Sequence, residues 1–353
     1  MTAALPQRLP LRLSEFDYAL PPERIAQTPL ADRDHSRLLV LGKTTGAIAH
    51  RRFYNLPELL EPGDVLVVND TRVSALRLFG ARPRHPHERI ETFLTHALGN
   101  GEWQALARPA RKLPPGTTIE YEGGLSARVL AQTDDRGGRL LQFHAPDGGC
   151  VEDLLAAQGH APLPPYITQS LPAHNRERYQ TVYAAHPGSA AAPTAGLHFT
   201  PALLARIAER GVQIAQVTLH VGLGTFRPIE TDDVSAHVMH HEHVTVTPEA
   251  AEAVNTARGR IVAVGTTSAR TLESASVGPR QIRAMDGDTN LFILPGYQFQ
   301  TVDALVTNFH MPRSTLLLLI SALAGQEAIQ RAYAEALAHE YRFLSFGDAM
   351  FIA

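Results

Sequence analysis

A chain of 353 residues with 44% hydrophobic and 19% charged residues can bury a large core and is long enough for two domains. Its formal net charge of −3 excludes a global attraction to phosphate, so any nucleic-acid contact has to come from a local basic patch. The single cysteine, Cys150, excludes an intrachain disulfide and a multi-cysteine metal site, and it suits a reducing cytoplasm. In chain order, Met1 to Pro10 lacks the continuous apolar core of a signal peptide. LLVLGKTTGAIAHRRF then predicts a hairpin. Its Gly42-Lys43-Thr44 is not a phosphate loop, because Arg37 stands where that loop needs glycine.

From Asp64 to His144 come short apolar segments, among them DVLVVND, IETFLTHA, WQALARP, TTIEYEG, LSARVLA and RLLQFH, divided by Gly, Pro or Asp turns. This spacing predicts a compact antiparallel barrel or sandwich. After Cys150 the pattern alternates: VEDLLAAQ, RERYQTVY, PALLARIAER and PEAAEAVNTA have helical spacing, while QIAQVTLHV, RIVAVGTT and NLFILPG read as buried strands. The fold class expected is therefore α/β: an irregular α/β main domain, residues 1–71 and 150–353, with an inserted antiparallel β-barrel domain over 72–149. Leu316 to Ala324 is too short to cross a bilayer and reads as a buried helix.

Three glycine- or hydroxyl-rich loops follow predicted strands: Pro193-Thr-Ala-Gly-Leu-His198, Gly222-Leu-Gly-Thr225 and Gly265-Thr-Thr-Ser268. The last precedes a helix expected to begin near Ala269, whose free amides and dipole suit an anion. Taken singly, a loop is better explained by turn-making glycine and by Ser268 capping; three at strand ends point to a ligand site. Asn69-Asp70-Thr71-Arg72 closes a strand with an acid beside a base. His237-Val-Met-His240-His241-Glu242-His243 offers imidazole and carboxylate groups, but it lacks H-E-x-x-H spacing and is not expected to bind metal. Arg82, Arg84, His85, His87 and Arg89 form one basic cluster and Arg108, Arg111 and Lys112 another, both in the β-rich segment.

Read in order, FDYALPPERIAQ, RDHSRLLVL, NDTRV, RLFGAR, PLPPYI, RYQTVYA, PTAGLHFT, VTLHVGLGTFRPI, HVMHHEHV, VGTTSARTLES, PGYQF, TNFHMPRSTLLLLISALAG and YRFLSFGDAMFI resemble the S-adenosylmethionine:tRNA ribosyltransferase-isomerase family of queuosine biosynthesis. The resemblance spans nearly the whole chain. It departs at Met311 and Arg313, where Leu and Lys are expected, at Phe346 for Tyr, at His241 and His243 for Ser and Tyr, and at Asn175 for an acid. It implies transfer and isomerisation of the ribosyl moiety of S-adenosylmethionine onto 7-aminomethyl-7-deazaguanine at the tRNA wobble position, giving epoxyqueuosine and releasing adenine and methionine. It implies no resident cofactor, since S-adenosylmethionine is consumed as a substrate, and no metal. A cytoplasmic monomer without a membrane partner is expected.

The sulfonium acidifies the neighbouring 5′-carbon, so the reaction needs a base there and assistance to the departing adenine. His198 and His220 are candidate acid–base groups. Asp70 and Glu242 are candidate bases or counter-charges to the sulfonium. Arg72, Arg227 and Arg270 can take the methionine carboxylate or RNA phosphates. Thr194, Gly196, Gly222, Gly224, Thr225, Thr266, Thr267, Ser268, Asn308 and His310 complete the expected substrate site, and Arg82, Arg84, Arg108, Arg111 and Lys112 the expected tRNA surface. Competing readings are a noncatalytic RNA-binding protein and a metal-dependent hydrolase built on the His237–His243 run.

Overall fold

Val65–Asn69 has four consecutive apolar residues and is buried throughout, as a strand covered on both faces must be. In the computed structural model, which describes residues 11–353 apart from 75, 134–136, 147–148, 161–162, 169–176, 223–230, 235–236 and 238, this strand lies near the middle of a nine-stranded sheet. The order is Met285–Thr289, Glu242–Val246, Gln213–Leu219, Val65–Asn69, Ile261–Val264, Ala304–Asn308, Ala349–Ile352, Arg37–Leu41, Ile48–Arg52. From Gln213–Leu219 to Ala304–Asn308 the neighbours run parallel. The expected hairpin, Arg37–Leu41 with Ile48–Arg52, forms one antiparallel edge.

Alternate residues of these strands feed two cores. Val65, Val67, Leu305 and Met350 pack beneath the helices Pro248–Asn255, Gly265–Ala275, Thr315–Ala324 and Gln326–Ala338. Leu66, Val68, Val306 and Phe351 face the other way, against Leu203 and Ile207 of helix Pro201–Glu209. Each fully buried side chain of this size contributes roughly 1.5–3 kcal/mol, so the sheet is held mainly through its faces. No helix of the described residues is long and apolar enough to cross a membrane.

The β-rich segment closes on itself. Six strands form a barrel in the order Gly138–His144, Glu102–Arg108, His85–Gly99, Leu76–Arg82, Thr118–Tyr121, Ser126–Gln132, all paired antiparallel, and none joins the nine-stranded sheet. Leu78, Ile90, Leu94, Ala107, Ile119 and Leu141 fill its interior. The helix Val151–Gln158, read from sequence as part of the α/β unit, adds Leu155 to this barrel core. At the other end Thr71–Val73 pairs with His186–Ser189 outside the barrel.

Three local expectations are corrected. RERYQTVY is not a helix: its described residues make one 3-10 turn over 177–179 and then run irregularly. NLFILPG is not a strand; Pro295 and Gly296 end it in a turn, and only Ile293 of its apolar residues is fully buried. The third helix-bearing loop is no loop, since helix Gly265–Ala275 starts four residues before Ala269.

Candidate active site

A cavity of about 500 Å³ opens at the carboxyl ends of Ile261–Val264 and Ala304–Asn308, where open α/β sheets bind ligands. Ile261–Val264 passes straight into helix Gly265–Ala275 because Gly265 takes φ +85°, a region open to glycine. Val264 offers that helix no side-chain cap, so its first amides and the positive end of its dipole lack a side-chain partner. Thr266 and Thr267 in this first turn line the cavity, and so does Arg270 one turn later.

Arg270 is ion-paired through Nη1 to Glu242 Oε2, and both residues are buried. Glu242 Oε1 also accepts from the Gly222 amide at 3.0 Å, while Arg270 Nε donates to the Leu291 carbonyl at 3.2 Å. Arg270 Nη2 and the Thr267 hydroxyl are sealed from solvent without a hydrogen-bond partner among the described residues. Leaving a buried donor unmet costs about 1–3 kcal/mol, more when it is charged, and a ligand acceptor removes that cost. A carboxylate at this end of the cavity would meet the helix terminus, and a small shift of the Arg270 or Thr267 side chain would bring Nη2 or the threonine hydroxyl to it as well. Glu242 is the only carboxylate lining the cavity among the described residues, and it can balance a cation.

The rear wall is a fixed polar chain. Thr194 Oγ1 donates to Asn308 Oδ1 at 2.8 Å, and Asn308 Nδ2 faces both the Leu344 carbonyl and His198 Nε2 at 3.2 Å. The Leu344 carbonyl can only accept, which fixes the amide orientation; His198 Nε2 must then be the unprotonated nitrogen, leaving Nδ1 to donate to Ser36 Oγ at 2.8 Å. Burial pushes the His198 ring down to about 4, and it stacks on Phe53 at 4.8 Å. His198 does not line the cavity. As a catalytic acid–base group it is misplaced: it is buried, neutral and engaged at both nitrogens, and it acts on the site only through Asn308. His310 does line the cavity, with Nε2 bonded to Thr307 Oγ1 at 2.8 Å, and burial pushes it down to about 3.

His220 and Asp70 lie elsewhere. They line an open cleft of about 710 Å³ with His186 and His243. Successive residues of Glu242–Val246 point to opposite faces, so Glu242 meets the cavity and His243 the cleft. Asp70 accepts from Thr218 Oγ1 at 2.6 Å; burial raises its carboxyl above the usual range, opposed by that hydrogen bond. His220 Nδ1 meets Thr71 Oγ1 at 2.7 Å, and burial, then the neighbouring His243 and His186, lower it.

Of the remaining expected site residues, Thr194, Thr266, Thr267, Arg270, Asn308 and His310 line the cavity. Arg72 does not; it pairs with Glu177 at 2.9 Å. Ser268 does not either, since its hydroxyl bonds back to the Val264 carbonyl at 2.8 Å inside the helix. Gly196 answers to packing, because a Cβ there would stand 2.1 Å from the Tyr183 hydroxyl. Gly222 contributes its amide to Glu242. Gly224, Thr225 and Arg227 lie outside the described residues, as does Asn175. Arg313 lines the cavity with φ +56°. Sequence reading passed over Tyr166 and Tyr179, which also line it; PLPPYI and RYQTVYA held that signal. Among the described residues the His237–His243 run assembles no convergent ligand trio. The one that does converge, with ligand atoms within 4.8 Å, is His50, Glu335 and His339, none of which lines the cavity.

The sequence model of the queuosine biosynthesis protein family matches residues 13–352. S-adenosylmethionine:tRNA ribosyltransferase-isomerase of Symbiobacterium thermophilum is 53% identical over 345 residues, 97% of this chain and 100% of that one. The Heliobacterium modesticaldum protein of the same name is 51% identical over 346 residues, with the same shares covered. The crystal structure of S-adenosylmethionine tRNA ribosyltransferase from Thermotoga maritima is 39% identical and matches with a TM-score of 0.55, covering 96% of this chain and 100% of its own. With its barrel, its sheet and its motifs all matched along nearly the full length, the chain belongs to the S-adenosylmethionine:tRNA ribosyltransferase-isomerase family of queuosine biosynthesis.

Proposed function

We propose that the chain acts in the cytoplasm and transfers and isomerises the ribosyl moiety of S-adenosylmethionine onto 7-aminomethyl-7-deazaguanine at the wobble position of tRNA, forming epoxyqueuosine and releasing adenine and methionine. The observation that carries this reading is the buried Glu242–Arg270 pair with Arg270 Nη2 and Thr267 Oγ1 unmet beside a helix N-terminus. The donor's methionyl carboxylate suits that end of the cavity. Glu242, the only carboxylate lining the cavity among the described residues, then supplies the counter-charge to the sulfonium and a base for the acidified 5′-proton. Asn308 and Thr194, locked to the rear wall, present fixed polar groups to the ribose.

Incubation with S-adenosylmethionine and tRNA bearing the aminomethyl base should release adenine and methionine and give the epoxyqueuosine mass on nucleoside analysis. Appearance of S-adenosylhomocysteine and a methylated base instead would make the chain a methyltransferase and end this reading. No step calls for a metal, so turnover is expected to survive exhaustive chelation. Loss of turnover that zinc alone restores would reopen the hydrolase reading.

A further inference from the structure

We propose that the outer wall of the barrel carries a nucleotide-binding groove, built on Arg77, Phe79, Arg89 and Arg108, that grips the tRNA next to its modified base. The inference rests on the reading of tRNA as substrate. Of the basic surface expected from sequence, Arg108 belongs to this groove and Arg84 and Arg111 are exposed, while Arg82 and Lys112 share one partner: Arg82 Nε and Nη2 and Lys112 Nζ all bind the Glu88 carboxylate, at 2.8, 2.9 and 2.7 Å. Those contacts, Arg82 foremost, hold Glu88 down to about 2.

Strand alternation builds the groove. Leu78 of Leu76–Arg82 and Ile90 and Thr92 of His85–Gly99 point into the barrel, so Arg77, Phe79, Arg89 and Glu91 point outward. Register aligns Phe79 with Glu91 and Glu91 with Arg108 across three neighbouring strands. The Arg89 guanidinium lies 4.1 Å from the Phe79 ring centroid and that of Arg77 4.9 Å away. Arg77 pairs with Glu91 at 2.6 Å, whereas Arg89 and Arg108 are exposed and make no ion pair among the described residues. Three guanidinium groups against one carboxylate leave two positive charges around a groove of about 570 Å³.

Flat cations layered on an aromatic ring suit single-stranded nucleic acid. The Phe79 ring holds the two guanidinium planes over it, bases stack on their outer faces, and phosphates take the forked donors. The groove is also tied to the active site. Arg77 and His160 exchange both main-chain hydrogen bonds at 2.9 Å, and Pro164, four residues beyond His160, lines the cavity. Four residues span at most about 14 Å. A loop with one base turned into the cavity thus brings its neighbouring nucleotides within reach of the groove.

The test is the full-length R89E/R108E variant, both positions being exposed, with F79L as a second variant and R82A/E88A, which leaves the local net charge unchanged, as the control. Arg89 and Arg108 replacement should raise the tRNA KM by about tenfold or more at unchanged S-adenosylmethionine KM. It should also reduce the slope of log affinity against log salt by about 1.4–1.8, one phosphate contact per arginine. F79L should weaken tRNA binding while leaving that slope alone, and the control should move neither. An unchanged tRNA KM and salt slope in R89E/R108E, with wild-type protein still forming the modified nucleoside, would remove the groove and leave the activity standing. Wild-type protein that forms no modified nucleoside would overturn both.

Discussion

Arg270→Met should abolish most turnover, lowering kcat/KM for S-adenosylmethionine by about 100-fold or more, and it should also destabilise the protein. Two separate losses are involved. Removing the guanidinium strands Glu242 as an uncompensated charge in a buried site, and breaking such a pair costs about 3–5 kcal/mol. It also removes Nη2, the donor that a carboxylate ligand would satisfy; a 100-fold loss corresponds to about 2.7 kcal/mol of transition-state stabilisation. The double variant Glu242→Gln with Arg270→Met separates them. Glutamine keeps an acceptor for the Gly222 amide and carries no charge, so melting temperature should recover while affinity for S-adenosylmethionine stays low; turnover stays low as well, because the variant also lacks the proposed base. Recovery of turnover along with stability would show that the pair only holds the fold, and the carboxylate assignment would fail.

Much of this arrangement was legible in the chain because it follows local rules. Val65–Val68 reads as a two-sided strand since nothing polar interrupts it, and the barrel strands announce themselves through alternation and regular turns. The motifs around Thr266 and Asn308 converge because they follow and end adjacent parallel strands in the middle of the sheet, and Thr194 joins them from outside it by bonding Asn308. What the sequence could not reveal depends on side-chain direction across long separations. Glu242 and His243 are neighbours in sequence and belong to different cavities, which only the face of their strand decides. Arg82 and Lys112 look like free cations until folding brings them onto Glu88, 6 and 24 residues away. Ser268 looks like a cap until Gly265 starts the helix early and turns that hydroxyl inward.

His198 is the sharpest such case, because PTAGLHFT places an imidazole beside a glycine turn and the fold then buries it behind the cavity wall. A histidine with a folded pKa of about 4 stays neutral while the unfolded chain, near 6.5, takes up a proton. Between those values the unfolded state binds more protons, so the stability contributed by His198 is complete above pH 6.5. It is lost as pH falls toward 4, at up to about 1.4 kcal/mol per pH unit. His310, pushed down to about 3, adds to the same acid sensitivity and extends it lower. His198→Asn removes one of the two titrations, so its melting temperature should decline less steeply than wild type between pH 6.5 and 5. At pH 8 the variant should be less stable by about 1–3 kcal/mol, since Ser36 and Asn308 lose a partner matched to both. Adenine release by the folded variant should fall less than tenfold, through looser placement of Asn308 alone. A 100-fold fall at unchanged melting temperature and unchanged acid sensitivity would restore the ring to the chemistry, and the neutral, doubly bonded histidine described above would have to move during turnover.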